Sequence, residues 1–243
     1  MTKSRDSELS MDLGIVRPGK SPHGSKTVDK ILQAAVDVLI EEGYAAFTLQ
    51  RVAAKCDMKI GNVTRHFPKR EVLVQILLQD ILTSGDKLLK KNVYKPKISA
   101  EAALALIITG TMEGAKTKGT THLMTELWAM SNHNDFVAQR LESLYGHVHT
   151  LIGSFVKQLN ASLSADDAEA LAVFINATME GATVLAGYGK PWEPRMPFMK
   201  AMAAHSLIAM VKTITPDDIQ RLIGRSLHAT ASEISSDVEL LPE

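Results

Sequence analysis

The chain has few of the features that mark disulfide-bonded, zinc-clustered or membrane proteins. Its 243 residues include one cysteine, Cys56, which excludes an internal disulfide and a cysteine-rich zinc site. The polar stretch 1–10 has no hydrophobic signal core, and no apolar run reaches the ~18 residues of a membrane span. Aromatic residues make up only 5% of the chain, but hydrophobic residues make up 45%, enough for a packed core. The composition predicts a cytoplasmic protein without a membrane segment.

Net charge is also absent, since 27 basic residues balance 27 acidic ones. The charges are unevenly distributed, however, because residues 1–95 contain 16 Lys and Arg against 11 Asp and Glu. A basic N-terminal part favours a polyanionic partner. Chance asymmetry explains the same numbers equally well.

Hydrophobic residues at helical spacing run through most of the chain. After the arm at 1–24, a helix begins at Ser25 and ends at Gly43, and Thr48 is a suitable N-cap for a second, short helix. A third short helix runs to about Phe67. The remaining predicted helices are Val72 to about Leu89, Ala100–Lys118, Thr121–Ser131, Asp135–Leu159, Ala165–Gly187, Phe198–Thr213 and Asp217–Ala229.

No segment alternates with period two, so the predicted fold class is all-α. The pattern divides into an arm over 1–24, a helix-turn-helix domain over 25–72, a larger antiparallel helical domain over 73–231 and an acidic tail over 232–243. We expect the arm and the tail to be flexible.

One phosphate-binding motif is a coincidence on physical grounds. Residues 14–21 match the pattern G-x-x-x-x-G-K-S, whose function requires a buried strand before the loop and a helix after it. Here a polar segment precedes the motif, and Pro22 and Gly24 interrupt a helix directly after it. Arg17, Lys20 and Lys26 are better explained as a basic arm that contacts phosphates or the minor groove.

The segment from Thr48 to Phe67 has the spacing of a helix-turn-helix. Val63 and Phe67 can anchor the second helix in the core. Its other face then carries short polar or basic side chains suited to phosphates and base edges, namely Lys59, Gly61, Asn62, Thr64 and Arg65. An ordinary pair of helices with a solvated face is the alternative.

The order of these residues resembles the N-terminal domain of TetR-family transcriptional regulators. The resemblance covers roughly residues 27–77, and it rests on the runs Ile31-Leu32-Gln33-Ala34-Ala35, Gly43-Tyr44, Phe47-Thr48-Leu49, Val52-Ala53, Gly61 and His66-Phe67. It implies a homodimer in which each subunit carries a three-helix DNA-binding domain. It also implies a helical domain that pairs the subunits and holds a small-molecule inducer, and a palindromic double-stranded operator.

The resemblance assigns roles to individual residues. Thr48 would cap the second helix and contact a phosphate, and Gly61, Asn62 and Arg65 would lie on the recognition helix. His66 would lie near the DNA backbone, and Arg70 would contact a phosphate from the start of the fourth helix.

Three residues depart from the family pattern. Asp57 replaces the usual turn glycine, which an aspartate tolerates because it adopts the left-handed conformation. Lys59 replaces the usual Ser or Thr cap, and Thr64 replaces the usual Tyr, which weakens or removes a common phosphate contact.

The larger domain offers two further expectations. The helices over 165–187 and 198–213 are apolar on nearly every face, and small residues at Ala182, Ala186 and Gly187 permit close approach, so they are candidates for a two-fold four-helix bundle. A thick core within one chain is the alternative. Polar residues or Met in apolar helices are candidates for a ligand pocket: Glu113, Thr117, His122, Glu126, Trp128, Tyr145, His149, Asn176, Met179 and Glu180.

His122 and Glu126 have the i, i+4 spacing of a metal-ligand pair but lack a third ligand, so no metal and no cofactor are predicted. The sequence therefore favours a DNA-binding repressor that a small ligand releases from its operator. A constitutive or architectural DNA-binding protein is the second interpretation. An enzyme is the third, and the chain offers no recognisable nucleophile–base set or paired carboxylates to support one.

Overall fold

The computed structural model describes residues 17–18, 22–92 and 98–233, and this part of the chain is helical without strands. The ten helices are α1 Pro22–Glu42, α2 Leu49–Lys55, α3 Ile60–His66, α4 Arg70–Asn92, α5 Ala100–Gly114, α6 Lys118–Ser131, α7 Asp135–Leu159, α8 Ala165–Ala186, α9 Met196–Thr213 and α10 Pro216–Glu233. Short 3₁₀ turns lie at Tyr44–Ala46 and Glu193–Arg195. The all-α prediction is confirmed.

The predicted helix ends agree with the structure to within a few residues. The prediction is correct at both ends for α7, whereas α1 begins at Pro22 and α5 ends four residues early, at Gly114. The expected interruption at Pro22 and Gly24 is wrong, because both lie in the first turn of α1, where proline is suited since no partner is available for an N–H. Most of the arm, including Lys20, and the tail from 234 onward lie outside the described residues.

The described residues form two compact units, one up to residue 87 together with 126–140 and the other from residue 88 to 125 together with 141 onward. The first unit extends beyond the predicted 25–72 domain because α4 contributes to its core: Leu73, Val74 and Leu77 are buried, together with Phe47 and Phe67 from the helix-turn-helix. Burial of such side chains stabilises the unit by about 1.5–3 kcal/mol each.

The core of the second unit lies among α5, α7, α8 and α9. Large side chains such as Leu104, Ile108, Ile152 and Ile175 are fully buried there. A capping box starts α8, because the Ser164 hydroxyl accepts the backbone N–H of residue 167 and the Asp167 carboxylate accepts the N–H of Ser164.

Helix α8 is long and apolar enough to be a candidate membrane span by length and composition, and 44% of its most apolar stretch is buried within the protein. It is the only such helix among the described residues. The core helix of a soluble protein meets the same criterion, and the burial of Ala172, Ile175 and Met179 in the second unit fits that interpretation.

Candidate nucleic-acid interface and ligand cluster

The helix-turn-helix consists of α2, a tight turn and α3. The Thr48 hydroxyl accepts the backbone N–H of Arg51 at 3.1 Å, which confirms Thr48 as the N-cap of α2. Asp57 in the turn has φ of 53°, as the sequence predicted, and it is the only non-glycine residue with positive φ in the described part of the chain. Val63 and Phe67 are fully buried, so the orientation of α3 is fixed by its apolar side.

The opposite side of α3 is exposed. Lys59, Gly61, Asn62 and Arg65 are exposed, while Thr64 and His66 are half-buried. A Cβ at Gly61 would meet nothing within 4 Å, so the surface is open at this position. The Thr64 hydroxyl donates to the carbonyl of Ile60 at 3.1 Å, which uses its hydrogen within α3.

The basic side chains of α2 form ion pairs, whereas those of α3 and its N-cap do not among the described residues. On α2, Arg51 pairs with Glu42 at 2.6 Å and Lys55 pairs with Glu41, so their charges are balanced by acids of α1. Among the described residues, no ion pair is formed by Lys59 or Arg65. The uncompensated positive charge therefore lies on α3 and at its start.

Arg70 and Arg17 are already engaged within the first unit. The Arg70 guanidinium lies 4.0 Å from the centre of the Tyr44 ring, and its Nη2 donates to the Tyr44 carbonyl at 3.2 Å. The loop that follows α1 thus holds the Arg70 side chain, and its predicted phosphate contact stays a prediction. Arg17 pairs with Asp29 at 2.5 Å and Asp80 at 3.1 Å. Lys26 is exposed on α1.

Sequence reasoning missed Ile60, the first residue of α3. Its side chain is 40% exposed although it is large and apolar, and it lies next to the exposed Lys59 and Gly61. An apolar side chain on a recognition helix can contact the methyl group of thymine. Helical spacing gave no signal of this exposure, because Ile60 falls three residues before Val63 and seven before Phe67, which is the spacing of a buried residue.

The predicted pocket residues do not form one group. Tyr145, His149, Asn176 and Glu180 lie together on facing sides of α7 and α8 in the second unit, and we call these four residues the α7–α8 polar cluster. The Asn176 amide lies 3.3 Å from His149 Nε2, and the rings of Tyr145 and His149 stack with centres 6.2 Å apart. Met179, beside the cluster, is buried in the core.

The remaining five candidates have other roles or positions. Glu113 is exposed, and hydrogen bonds from Lys116 and Lys200 lower its pKa to about 2. Thr117 is exposed, and its hydroxyl accepts the backbone N–H of Thr120 at 3.2 Å. Both side chains lie on the surface with partners of their own, and their assignment to a pocket stays a prediction.

Glu126 and His122 have structural neighbours in different units. The Glu126 carboxylate accepts the backbone N–H of Tyr44 at 2.8 Å in the first unit, and its assignment to the ligand pocket stays a prediction. The His122 ring packs edge-on against Tyr188 with centres 6.2 Å apart in the second unit. Trp128 is half-buried in the first unit.

The small residues predicted to bring α8 against a partner subunit instead face the interior. Ala182, Ala186 and Gly187 are buried, and a Cβ at Gly187 would lie 2.5 Å from the Thr121 hydroxyl oxygen. Exposed apolar residues of α8 and α9 occupy other positions at helical spacing: Val173, Phe174, Val184, Leu185, Phe198 and Met202.

Two family models match the chain over most of the described residues. The model described as bacterial regulatory proteins of the tetR family matches residues 31–76, which include α2 and α3. The model described as the C-terminal part of BetI-type transcriptional repressors matches residues 100–212.

Known proteins with related sequence or fold are also transcription regulators. A helix-turn-helix transcriptional regulator from Xanthobacter autotrophicus, itself described as uncharacterized, is 25% identical over 65% of this chain and 78% of its own length. A regulator structure from Saccharomonospora viridis, in complex with choline, has a TM-score of 0.64 and 15% identity, with 75% of this chain and 97% of that chain covered. The FadR structure from Bacillus subtilis, in complex with stearoyl-CoA, has a TM-score of 0.59 and 16% identity, with 76% and 97% covered.

At these identities the two structures show the fold alone. The N-terminal helix-turn-helix, the helical second unit and the two family models together define a DNA-binding transcriptional regulator. The chain belongs to the TetR family.

Proposed function

We propose that the protein is a sequence-specific repressor in which α3 enters the major groove of an operator. The main support is that α3 and its C-cap have a buried and an exposed side. Val63 and Phe67 are fully buried, while Asn62 and Arg65 are exposed. Arginine forms paired hydrogen bonds with guanine and asparagine with adenine, so the exposed side has the chemistry of base readout.

We expect residues next to the exposed side of α3 to contact DNA phosphates. Thr48 and Lys59 are exposed at the starts of α2 and α3, and His66 is half-buried at the end of α3. We add Ile60 as an apolar contact to a base and remove Arg70, whose guanidinium is held by Tyr44. Thr64 contributes little to the backbone contacts, because its hydroxyl is bonded within the helix.

A homodimer is the second part of the proposal. Phe174 and Leu185 on α8 are 53% and 52% exposed, and Phe198 on α9 is 67% exposed. Large apolar side chains exposed along two helices that pack against each other are typical of a surface that another subunit covers. Two-fold pairing would place two α3 helices about one DNA turn apart, ~34 Å, and would require a palindromic operator.

Release by a small ligand is the third part. The Saccharomonospora viridis and Bacillus subtilis structures hold choline and stearoyl-CoA, so proteins of this fold bind small molecules of very different chemistry. A ligand would act here by binding more tightly to a conformation that fits DNA poorly. The α7–α8 polar cluster, with Met179 beside it, is the proposed ligand site. A cytoplasmic location and the absence of catalytic activity follow from this role and belong to the proposal.

Fluorescence anisotropy with a fragment from upstream of the protein's own gene tests the regulator function. We expect tight binding that excess random DNA does not remove. Arg65→Ala removes one base contact of about 1–3 kcal/mol from each subunit of the proposed dimer, so it should lower the affinity by at least about 30-fold. Arg221→Ala is the matched control, because Arg221 is an exposed arginine of α10. It should bind like the wild type.

Two results would contradict parts of this function. Equal affinity for the fragment and for random DNA, with a steep salt dependence and no effect of Arg65, would indicate an architectural DNA-binding protein. Operator binding that no ligand weakens would indicate a constitutive regulator. For the dimer, Phe174→Asp should produce monomers in light scattering, whereas Ile98→Asp, at an exposed apolar residue before α5, should not.

A further inference from the structure

The α7–α8 polar cluster has a regular antiparallel register. Gly153 faces Ala172, where an added Cβ would lie 4.0 Å from the alanine Cβ, and its nearest contact would be the Ala168 carbonyl at 3.6 Å. One turn further along, His149 faces Asn176 at 3.3 Å. The next turn pairs Tyr145 with Glu180, which share a side-chain hydrogen bond.

The side chains that meet between α7 and α8 change from small to polar along the two helices. Small side chains meet at Gly153 and Ala172, so the two helices approach closely there. Polar side chains with hydrogen-bonding groups meet at the following two turns. Asn176 is 6% exposed, while Tyr145, His149 and Glu180 are half-buried, so the cluster lies at the edge of the core of the second unit and is only partly shielded from water.

Glu180 is the acidic member of this region. Its burial raises its pKa to about 7, and the hydrogen bond from the Tyr145 hydroxyl only partly opposes the rise. No lysine or arginine among the described residues contributes to this pKa. On the helices α5 and α9, which pack against α8, Glu113 and Lys200 are paired with each other.

The other titratable group of the cluster does not supply a positive charge. Burial lowers the pKa of His149, and only the attraction of Glu169 opposes this. His149 is therefore neutral at pH 7 and neither neutralises Glu180 nor repels a cation. The cluster thus combines an acid that has no cationic partner with the aromatic face of Tyr145.

We propose that the α7–α8 polar cluster binds a small organic cation, with the Glu180 carboxylate as its counter-ion and the Tyr145 ring as a cation–π surface. Asn176 and His149 would orient the polar part of the ligand through their side-chain nitrogen and oxygen atoms. Partial burial removes water that would stabilise the Glu180 carboxylate, and a bound cation supplies an opposite charge in its place. An aromatic face attracts a desolvated cation.

A metal ion fits the cluster less well than an organic cation. No group of three His, Cys, Asp or Glu side chains able to hold a metal occurs among the described residues. Divalent cations require several such ligands at short distance, whereas an ammonium group needs one counter-ion and an apolar or aromatic surround. The Tyr145 ring is the aromatic surface of the cluster, and Met179, which precedes Glu180 on α8, is buried in the adjoining core.

Binding of the cation is coupled to loss of a proton from Glu180. The cation favours the carboxylate form, so the carboxyl proton is released to the solvent while the cation takes its place as the positive partner. At pH 7, about half of the Glu180 side chains are protonated if the pKa is about 7, so about half a proton should be released per cation bound.

Isothermal titration calorimetry with three probes of one shape tests the proposal on the full-length protein without DNA. The probes are tert-butylammonium, which is positive, tert-butanol, which is neutral, and pivalate, which is negative. We expect the cation to bind at least about tenfold more tightly than the alcohol and the anion not to bind. Titrations in buffers of different ionisation enthalpy should report the released half proton, and tetramethylammonium shows whether an N–H donor is required.

Two variants within the cluster and one outside it make the assignment specific. Glu180→Gln keeps the shape of the side chain and should lose both the preference for the cation and the proton release. Tyr145→Phe keeps the ring but removes the hydrogen bond that lowers the pKa of Glu180, so it should bind the cation more weakly and release more protons at pH 7. Glu142→Gln removes the same charge from an exposed position on α7 and should behave like the wild type.

Equal binding of the cation and the alcohol would overturn the proposal, and so would proton release that persists in Glu180→Gln or the same loss of binding in Glu142→Gln. The cation site rests on the proposed function only for its effect on DNA. Cation binding with DNA binding that is insensitive to Arg65 would overturn the regulator function alone. Specific operator binding without a cation preference would overturn the cation site alone.

Discussion

Replacement of Glu180 by glutamine should change how the stability of the protein depends on pH. In the folded protein burial raises the pKa of Glu180 to about 7, against an ordinary value of 4.5 in the unfolded chain. Between these values the folded state holds a proton that the unfolded state has lost. Folding stability therefore falls as the pH rises through this window and becomes level above about pH 7.

The size of the effect follows from the difference between the two pKa values. Each pH unit within the window corresponds to about 1.4 kcal/mol, so the wild type should be about 2–3 kcal/mol less stable at pH 8 than at pH 5 through Glu180 alone. Glutamine has no charge to desolvate and no pH dependence at this position. Glu180→Gln should therefore be slightly less stable than, or equal to, the wild type at pH 5 and more stable at pH 8.

Urea unfolding of both proteins at one protein concentration, at intervals from pH 5 to pH 8, measures this difference. The concentration is held constant because the stability of a dimer depends on it. All other titrating groups are common to the two proteins, so they cancel in the difference. Glu142→Gln, at an exposed site, should run parallel to the wild type. A constant difference between Glu180→Gln and the wild type across the range would refute the raised pKa and the burial argument behind it.

Three further substitutions test the local structure. Thr48→Ala should lower the free energy of unfolding by about 1 kcal/mol in thermal or urea unfolding, because it removes the N-cap of α2, and an unchanged stability would contradict the cap. Gly187→Ala should destabilise by about 2 kcal/mol or more through overlap with the Thr183 carbonyl and the Thr121 side chain, whereas Gly146→Ala, in open space on α7, should stabilise by about 0.5–1 kcal/mol. Arg70→Gln should lower the melting temperature yet leave the salt dependence of operator affinity unchanged, and a smaller salt slope would show that Arg70 contacts a phosphate.

Local patterns in the sequence were sufficient to predict the helices. The spacing of Val63 and Phe67 and the N-cap at Thr48 concern residues a few positions apart, and the structure confirms both. The left-handed turn at Asp57, which the resemblance to the family implied, is confirmed as well. Each of these features is decided by residues within one short segment, so it can be predicted from the local sequence. The same holds for α7, where both ends were predicted correctly.

The side of a helix that faces a partner could not be predicted in the same way. Helix α9 is apolar on nearly every face, so composition does not distinguish Leu207, which is 5% exposed, from Phe198, which is 67% exposed. On α8 the small residues Ala182 and Ala186 were assigned outward and lie inward. Packing against α5 and α9 decides these orientations, and a single helix does not contain that information.

The same limit explains the outcome of the ligand prediction. His122 and Glu126 on α6 have the same i, i+4 spacing as Tyr145 and His149 on α7, and in the sequence both pairs are polar residues in apolar helices. The structure separates them by their partners, since Glu126 accepts the N–H of Tyr44, which leaves it bonded to backbone.

Tyr145 and His149 instead face Glu180 and Asn176, which have the same spacing in the opposite chain direction. Because α7 and α8 are antiparallel, the pair on one helix meets the pair on the other, and four polar side chains come together. Either pair alone would contact apolar residues or solvent. A half-buried acid without a cationic partner among the described residues arises from this register. The register depends on the close contact of Gly153 with Ala168 and Ala172, two and three turns away from the acid. A larger side chain at residue 153 should therefore weaken cation binding at Glu180 without touching the ligand.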